Sequence, residues 1–120
     1  MMMIEEYETG HGLNPYLQYL ESIDDKITLS KIMTAIKKLE AGLTANIKSL
    51  KGGLYEYKIN WGCGHRVYFT YKNQKLILIL GASDKNKKNQ QNAIKRARMF
   101  LEDIQTDEED QKAEEINHGT

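Results

Sequence analysis

The chain has 120 residues, 40% of them hydrophobic and 28% charged, with one proline; this suits a single domain and excludes two full domains or a chain disordered other than at an end. A lone cysteine, Cys63, excludes an internal disulfide and a CxxC metal pair, which fits a reducing compartment. The formal net charge of zero hides a segregation: residues 1–101 carry 16 basic and 9 acidic groups, whereas residues 102–120 carry eight acidic groups and only Lys112.

The basic body suits a polyanionic partner held through phosphate contacts, against the plainer reading of a lysine-rich solvated surface. The opening Met-Met-Met-Ile-Glu-Glu lacks the basic and then apolar run of a signal peptide. No stretch approaches the roughly 18 apolar residues of a membrane span, and a cytoplasmic protein is expected.

In chain order, Ile4 to Thr9 reads as a short strand broken by Gly10 to Gly12. In LNPYLQYLESI a helix begins, with Asn14 as N-cap, Pro15 at the first helical position and a stripe of Leu13, Leu17, Leu20 and Ile23. A second helix carries Leu29, Ile32, Ile36 and Leu39 at three- and four-residue steps and stops at Gly42, which predicts a helical hairpin. From Gly53 the period becomes two: Tyr55, Tyr57, Ile59 and Trp61 alternate with Glu56, Lys58 and Asn60. Arg66 to Lys72 repeats it, and the apolar KLILILG, residues 75–81, predicts a strand covered on both faces. Asp84 is placed as the cap of a last helix with a stripe of Ile94, Ala97, Leu101 and Ile104. After Ile104 the periodicity ends. The expected fold is therefore α+β: a small antiparallel sheet with an N-terminal helical hairpin and a C-terminal helix over residues 1–104, then an acidic tail, 105–120, read as disordered or folding on contact.

The stretch INWGCGHRVYF, residues 59–69, places two glycines around Cys63. A three-residue loop of Gly62, Cys63 and Gly64 pairs Trp61 with His65, Asn60 with Arg66, Ile59 with Val67 and Lys58 with Tyr68, so apolar residues meet apolar ones. On this reading, the register that sets Ile59 opposite His65 and Lys58 opposite Arg66 is rejected. A nucleotide loop would need a following helix, which the sequence lacks, and a thiol at a turn tip has no base beyond His65. Lys58, Asn60, Arg66 and Tyr68 then share one face. The turn at Asn73-Gln74 pairs Arg66 with Gly81, so GASDKNKK brings Lys85, with Lys87 and Lys88, to the same edge as His65. A competing reading pairs Lys58 and Arg66 with Glu56 and Asp84 as surface salt bridges.

Taken together, GLYEYKINWGCGHRVYFTYKNQKLILILGASDKNKKNQQNAIKRAR resembles the RelE/ParE superfamily of bacterial toxins, in particular its HigB-like addiction module killer proteins. Those show Glu-Leu-Arg-Ile, then Gly-Pro-Gly-Tyr-Arg-Val-Tyr, an apolar strand, Gly-Gly-Asp-Lys and a helix rich in Ala and Arg. Glu56 to Ile59, Gly62 to Tyr68, Gly81 to Lys85 and Ala93 to Ala97 occupy these places in order. The resemblance implies a RelE-like toxin of a type II toxin–antitoxin system. Such a toxin cleaves mRNA at the ribosome without a metal, through the RNA 2′-hydroxyl, and is neutralised by a cognate helix-turn-helix antitoxin.

By position it implies catalytic roles for Lys58, Arg66 and Lys85. Arg66 is expected to fork the phosphate, with Lys85 and Lys58 as electrostatic or proton-transfer groups. His65 stands where the family has tyrosine, with an ordinary pKa of about 6.5 suited to acid or base work. Tyr68, Asn60, Lys87 and Lys88 are the expected RNA contacts, Tyr68 by stacking. Competing functions are a ParE-type inhibitor of DNA gyrase and an inactive relative that only binds its partner.

Overall fold

The computed structural model describes residues 2–118, with side chains described for residues 2–106. Alternation from Tyr55 onward builds three antiparallel strands: β3 (Tyr55–Ile59), β4 (His65–Lys72) and β5 (Lys75–Ser83). To these are added β1 (Met3–Glu6) beside β5 and β2 (Ile47–Ser49) beside β3, giving the order β1-β5-β4-β3-β2. β1 runs parallel to β5, so the sheet is mixed and not the purely antiparallel one expected. The chain leaves β1 through two helices that cross one face of the sheet, which is the kind of connection parallel pairing requires.

Those helices are α1 (Pro15–Glu21) and α2 (Lys26–Glu40). Asn14 caps α1 by accepting from Leu17 N, with Pro15 inside the first turn, as read. α2 ends on Gly42 at φ +84°, with Leu43 N on Lys38 O and Gly42 N on Leu39 O, the paired bonds of a glycine stop. Their buried residues, Tyr16 and Tyr19 from α1 with Ile32, Ala35 and Leu39 from α2, pack on Tyr57, Ile59, Val67, Phe69, Leu76 and Leu78. Leu17, expected in the α1 stripe, is exposed, and the two tyrosines take the buried face instead.

α3 (Lys87–His118) covers the other face, packing Ala93, Ala97, Leu101 and Ile104 on Leu54, Tyr68, Ile77 and Ile79. Its cap is Asn86, which accepts from Asn89 N, and not Asp84. The helix also continues past Ile104 through the acidic run, which is rich in the helix formers Glu, Gln, Lys and Ala. The side chains of residues 107–120 lie outside the described ones, as does the tail contact that their charge suggests. No helix among the described residues is long and apolar enough to cross a membrane.

The hairpin register differs from the one read. Ile59 pairs with His65, Lys58 with Arg66, Tyr57 with Val67 and Glu56 with Tyr68, closed by the five residues Asn60 to Gly64. Trp61 N bonds Ile59 O, and Gly64 N bonds Trp61 O, with Gly62 and Gly64 at positive φ. Both registers keep each side chain on its face, so apolar alternation cannot choose between them. The Asn73-Gln74 turn is as expected, both residues at positive φ, with Lys72 opposite Lys75. A bulge between Tyr68 and Phe69 then moves Arg66 from Gly81 to Ala82.

Candidate functional site

The site is built on a bare position. Gly81 sits in β5 where the ring of Tyr19 crosses the strand, and a Cβ there would stand 2.2 Å from Tyr19 Cδ2. A glycine within an apolar strand marks such a close approach. The resulting seat carries the Tyr19 hydroxyl to 2.6 Å from Nδ1 of His65, the first residue of β4, which pairs with Ser83. Around this pair, α1, the ends of β4 and β5 and the first turns of α3 enclose a cleft of about 550 Å³. Its lining includes Tyr19, Cys63, His65, Lys85, Asn89 and Arg96.

His65 is 8% exposed, and burial lowers its pKa below the ordinary imidazole value, with the negative charge of Asp84 opposing in part. Burial likewise raises the Tyr19 phenol above its ordinary value, helped by Tyr16 and Cys63. Both groups are therefore neutral near pH 7, while Lys85 and Arg96 supply positive charge to the same cleft. Among the described residues, no three His, Cys, Asp or Glu side chains cluster as a metal site requires.

Arg66 is engaged elsewhere. Its Nη1 donates to Glu56 Oε1 at 2.6 Å and its Nε to Asp84 Oδ2 at 2.9 Å. Burial works against its charge, yet the bond to Asp84 and the two carboxylates hold the guanidinium above its ordinary pKa. The salt-bridge reading thus holds for Arg66, although its partner Glu56 is buried and Arg66 itself half-buried, so the pair is not superficial. Nε and Nη1 are thus engaged by Asp84 and Glu56, which takes two of the five N–H donors of the guanidinium expected to hold a phosphate.

The remaining expected residues divide. Lys58 is exposed directly opposite Arg66 and lines a shallow cleft of about 340 Å³ with Lys48 and Glu56. Asn60 joins Lys58, Cys63 and Asp84 in a neighbouring hollow of about 380 Å³. Tyr68 is fully buried against α3, so it is not placed to stack on a base. Lys87 and Lys88 are exposed in the first turn of α3. Of the four residues expected to be catalytic, His65 and Lys85 meet in the large cleft, while Lys58 and Arg66 face away from it. Two of the cleft's groups, Tyr19 and Arg96, went unread in the sequence. Their signals were Gly81 in an apolar strand and the helical spacing of Asn89, Asn92 and Arg96, which share one flank of α3 beside Lys85 in the connection before it.

No protein-family model matches the chain, and no solved structure matches it. A protein of Haemophilus influenzae, named "Uncharacterized protein", is 31% identical over 102 residues, covering 85% of this chain and 98% of that protein.

Proposed function

The chain belongs to the family of that Haemophilus influenzae protein, and we propose that it is a RelE/ParE-type toxin of a type II toxin–antitoxin system, an mRNA endoribonuclease acting at the ribosome in the cytoplasm. The observation that carries this reading is the cleft in which His65, held by Tyr19, stands with Lys85 and Arg96. A volume of about 550 Å³ is in the range of pockets that hold small ligands, so a nucleotide of an RNA strand fits its scale. The motif order from Glu56 to Ala97 supports it independently.

In the proposed reaction the RNA 2′-oxygen attacks the adjacent phosphorus. The 2′-O–P bond forms, the P–O5′ bond breaks, the 2′-hydroxyl loses its proton to solvent hydroxide and the departing O5′ receives one from an acid. The products are a 2′,3′-cyclic phosphate and a 5′-hydroxyl. Charge gathers on the non-bridging oxygens, and stabilising it is commonly the largest single contribution to such a rate. Lys85 and Arg96 meet that charge, and Lys85 is the proton donor to O5′. Lys58, with Lys87 and Lys88, guides the strand by its charge. The partner that restrains the toxin is a helix-turn-helix antitoxin.

Induction of the protein followed by primer extension on cellular mRNA tests the reading. Discrete cuts that disappear in a folded Lys85→Ala, Arg96→Ala double variant support it. Growth arrest with gyrase-linked DNA breaks and intact mRNA would replace it with inhibition of DNA gyrase through a protein interface.

A further inference from the structure

We infer that Tyr19, seated on Gly81, is a positioning residue that fixes His65 as a neutral hydrogen-bond donor to a phosphate in the cleft, not as its base. The inference rests on the ribonuclease reading only for the identity of the phosphate. The contact itself is structural: Tyr19 Oη lies 2.6 Å from His65 Nδ1, and both residues are 8% exposed.

Two proton arrangements fit that distance. If Nδ1–H donated to Tyr19, an N–H would approach a phenol oxygen, a weak acceptor, more closely than the roughly 2.7–3.2 Å usual for N–H donors. If the phenol donates to Nδ1, the more acidic O–H meets the more basic imidazole nitrogen, and a separation of 2.6 Å is typical of an O–H donor. The second arrangement is therefore favoured. Its consequence is that the imidazole proton resides on Nε2, the nitrogen that Tyr19 does not hold. Such a ring has its Nδ1 lone pair engaged by Tyr19 and none free to take a proton from a 2′-hydroxyl, but it has an N–H to give to a phosphoryl oxygen.

The surroundings agree. The titratable and charged groups around His65 are Tyr19 from α1, Cys63 from the hairpin loop, Asp84 and Lys85 from the β5–α3 connection and Arg96 from α3. One carboxylate against two cations does not favour an imidazolium, and burial disfavours it further. Gly81 is what allows this. Any side chain there would displace the Tyr19 ring and with it the hydroxyl.

The test is made on the full chain labelled with ¹⁵N-histidine, using long-range proton–nitrogen spectra at neutral pH. The expected result is the Nε2–H tautomer for His65. In Tyr19→Phe, which keeps the ring on Gly81, the fixed tautomer should give way to a mixture, and the His65 titration midpoint should rise. An Nδ1–H tautomer in the wild type, or spectra unchanged in Tyr19→Phe, overturns the inference.

Cleavage provides a second readout. His65→Gln retains an N–H donor and should cleave within about tenfold of wild type, whereas His65→Ala should lose about 10² or more, the scale of a lost donor at a charged transition state. A loss of about 10² or more in a folded His65→Gln, the scale of general base catalysis, counts against it. If the wild type cuts no RNA at all, the ribonuclease reading falls, while the spectra still decide the tautomer.

Discussion

Arg66, half-buried, donates to Glu56 at 2.6 Å, and Glu56 is only 3% exposed, so this ion pair ties a buried carboxylate across neighbouring strands β3 and β4. Through Asp84 the same guanidinium also fastens the hairpin to the start of the β5–α3 connection, where Asp84 N in turn bonds Gly64 O. Removing one partner of a buried pair leaves an uncompensated charge.

Arg66→Ala is accordingly expected to destabilise the fold by up to about 3 kcal/mol, the low end of the scale for breaking a fully buried pair. Urea unfolding checks it. Arg66→Lys should recover little, since an ammonium cannot present the two-sided fork that Glu56 and Asp84 require. A double variant, Glu56→Leu with Arg66→Met, should be more stable than Arg66→Ala alone. Equal unfolding midpoints for wild type and Arg66→Ala would contradict the role given to the pair.

Tyr68 supports a second expectation. Its ring is fully buried, and among the described residues its hydroxyl has no hydrogen-bond partner, a state that burial together with Glu56 and Asp84 accompanies by raising its pKa to about 12, Arg66 opposing. A buried hydroxyl without a partner costs free energy, so Tyr68→Phe should leave stability unchanged or raise it by about 1 kcal/mol. Thermal unfolding measures this. A loss of more than about 1 kcal/mol would mean that the hydroxyl is bonded after all.

Much of the fold was legible because it rests on local chemistry. The Asn14 cap, the Gly42 stop, the Asn73-Gln74 turn and the period-two runs each announce themselves within a few residues. What was not legible depends on contacts distant in sequence. The slide of the 55–72 hairpin keeps every side chain on its face, and the bulge at Tyr68/Phe69 has no compositional mark. β1 reveals its parallel direction only once α1 and α2 are packed. The site divides in the same way. Charge near Arg66 was readable, but whether Glu56 and Asp84 consume it depends on register. Tyr19 looked like one more residue of an amphipathic helix until Gly81 gave its ring a seat.

The pH dependence of stability follows from His65. Its folded pKa lies below the ordinary 6.5 because burial disfavours the imidazolium. Between that lowered value and 6.5 the unfolded chain binds more protons than the folded one, so stability rises with pH across this window. The contribution is complete above about pH 7 and is lost as pH falls through the folded pKa. Because His11 and His118 are common to both proteins, a comparison of wild type with His65→Gln isolates the effect. The wild type should lose more unfolding free energy than the variant between pH 7.5 and 5. Parallel curves would show that His65 does not titrate differently on folding.

The acidic run bears on RNA binding through charge alone. Deleting residues 107–120 removes six acidic groups and Lys112, while preserving the bond from Gln105 to Gly52 and the one from Lys72 to Ile104 that fasten the described part of α3. The remaining chain is more positive, and a polyanion binds it better in proportion to the counterions it releases. The truncated protein should therefore bind single-stranded RNA more tightly at low salt. At ionic strengths where the Debye length falls to about 3 Å, near 1 M, the two proteins should converge. Filter binding or fluorescence anisotropy across a salt series measures both. Adding the 107–120 peptide in trans then separates two origins: inhibition of the truncated protein points to direct contact between the run and the basic body, and no inhibition leaves net charge as the cause. Equal affinities at every salt concentration would show that the acidic run has no influence on the RNA-binding surface.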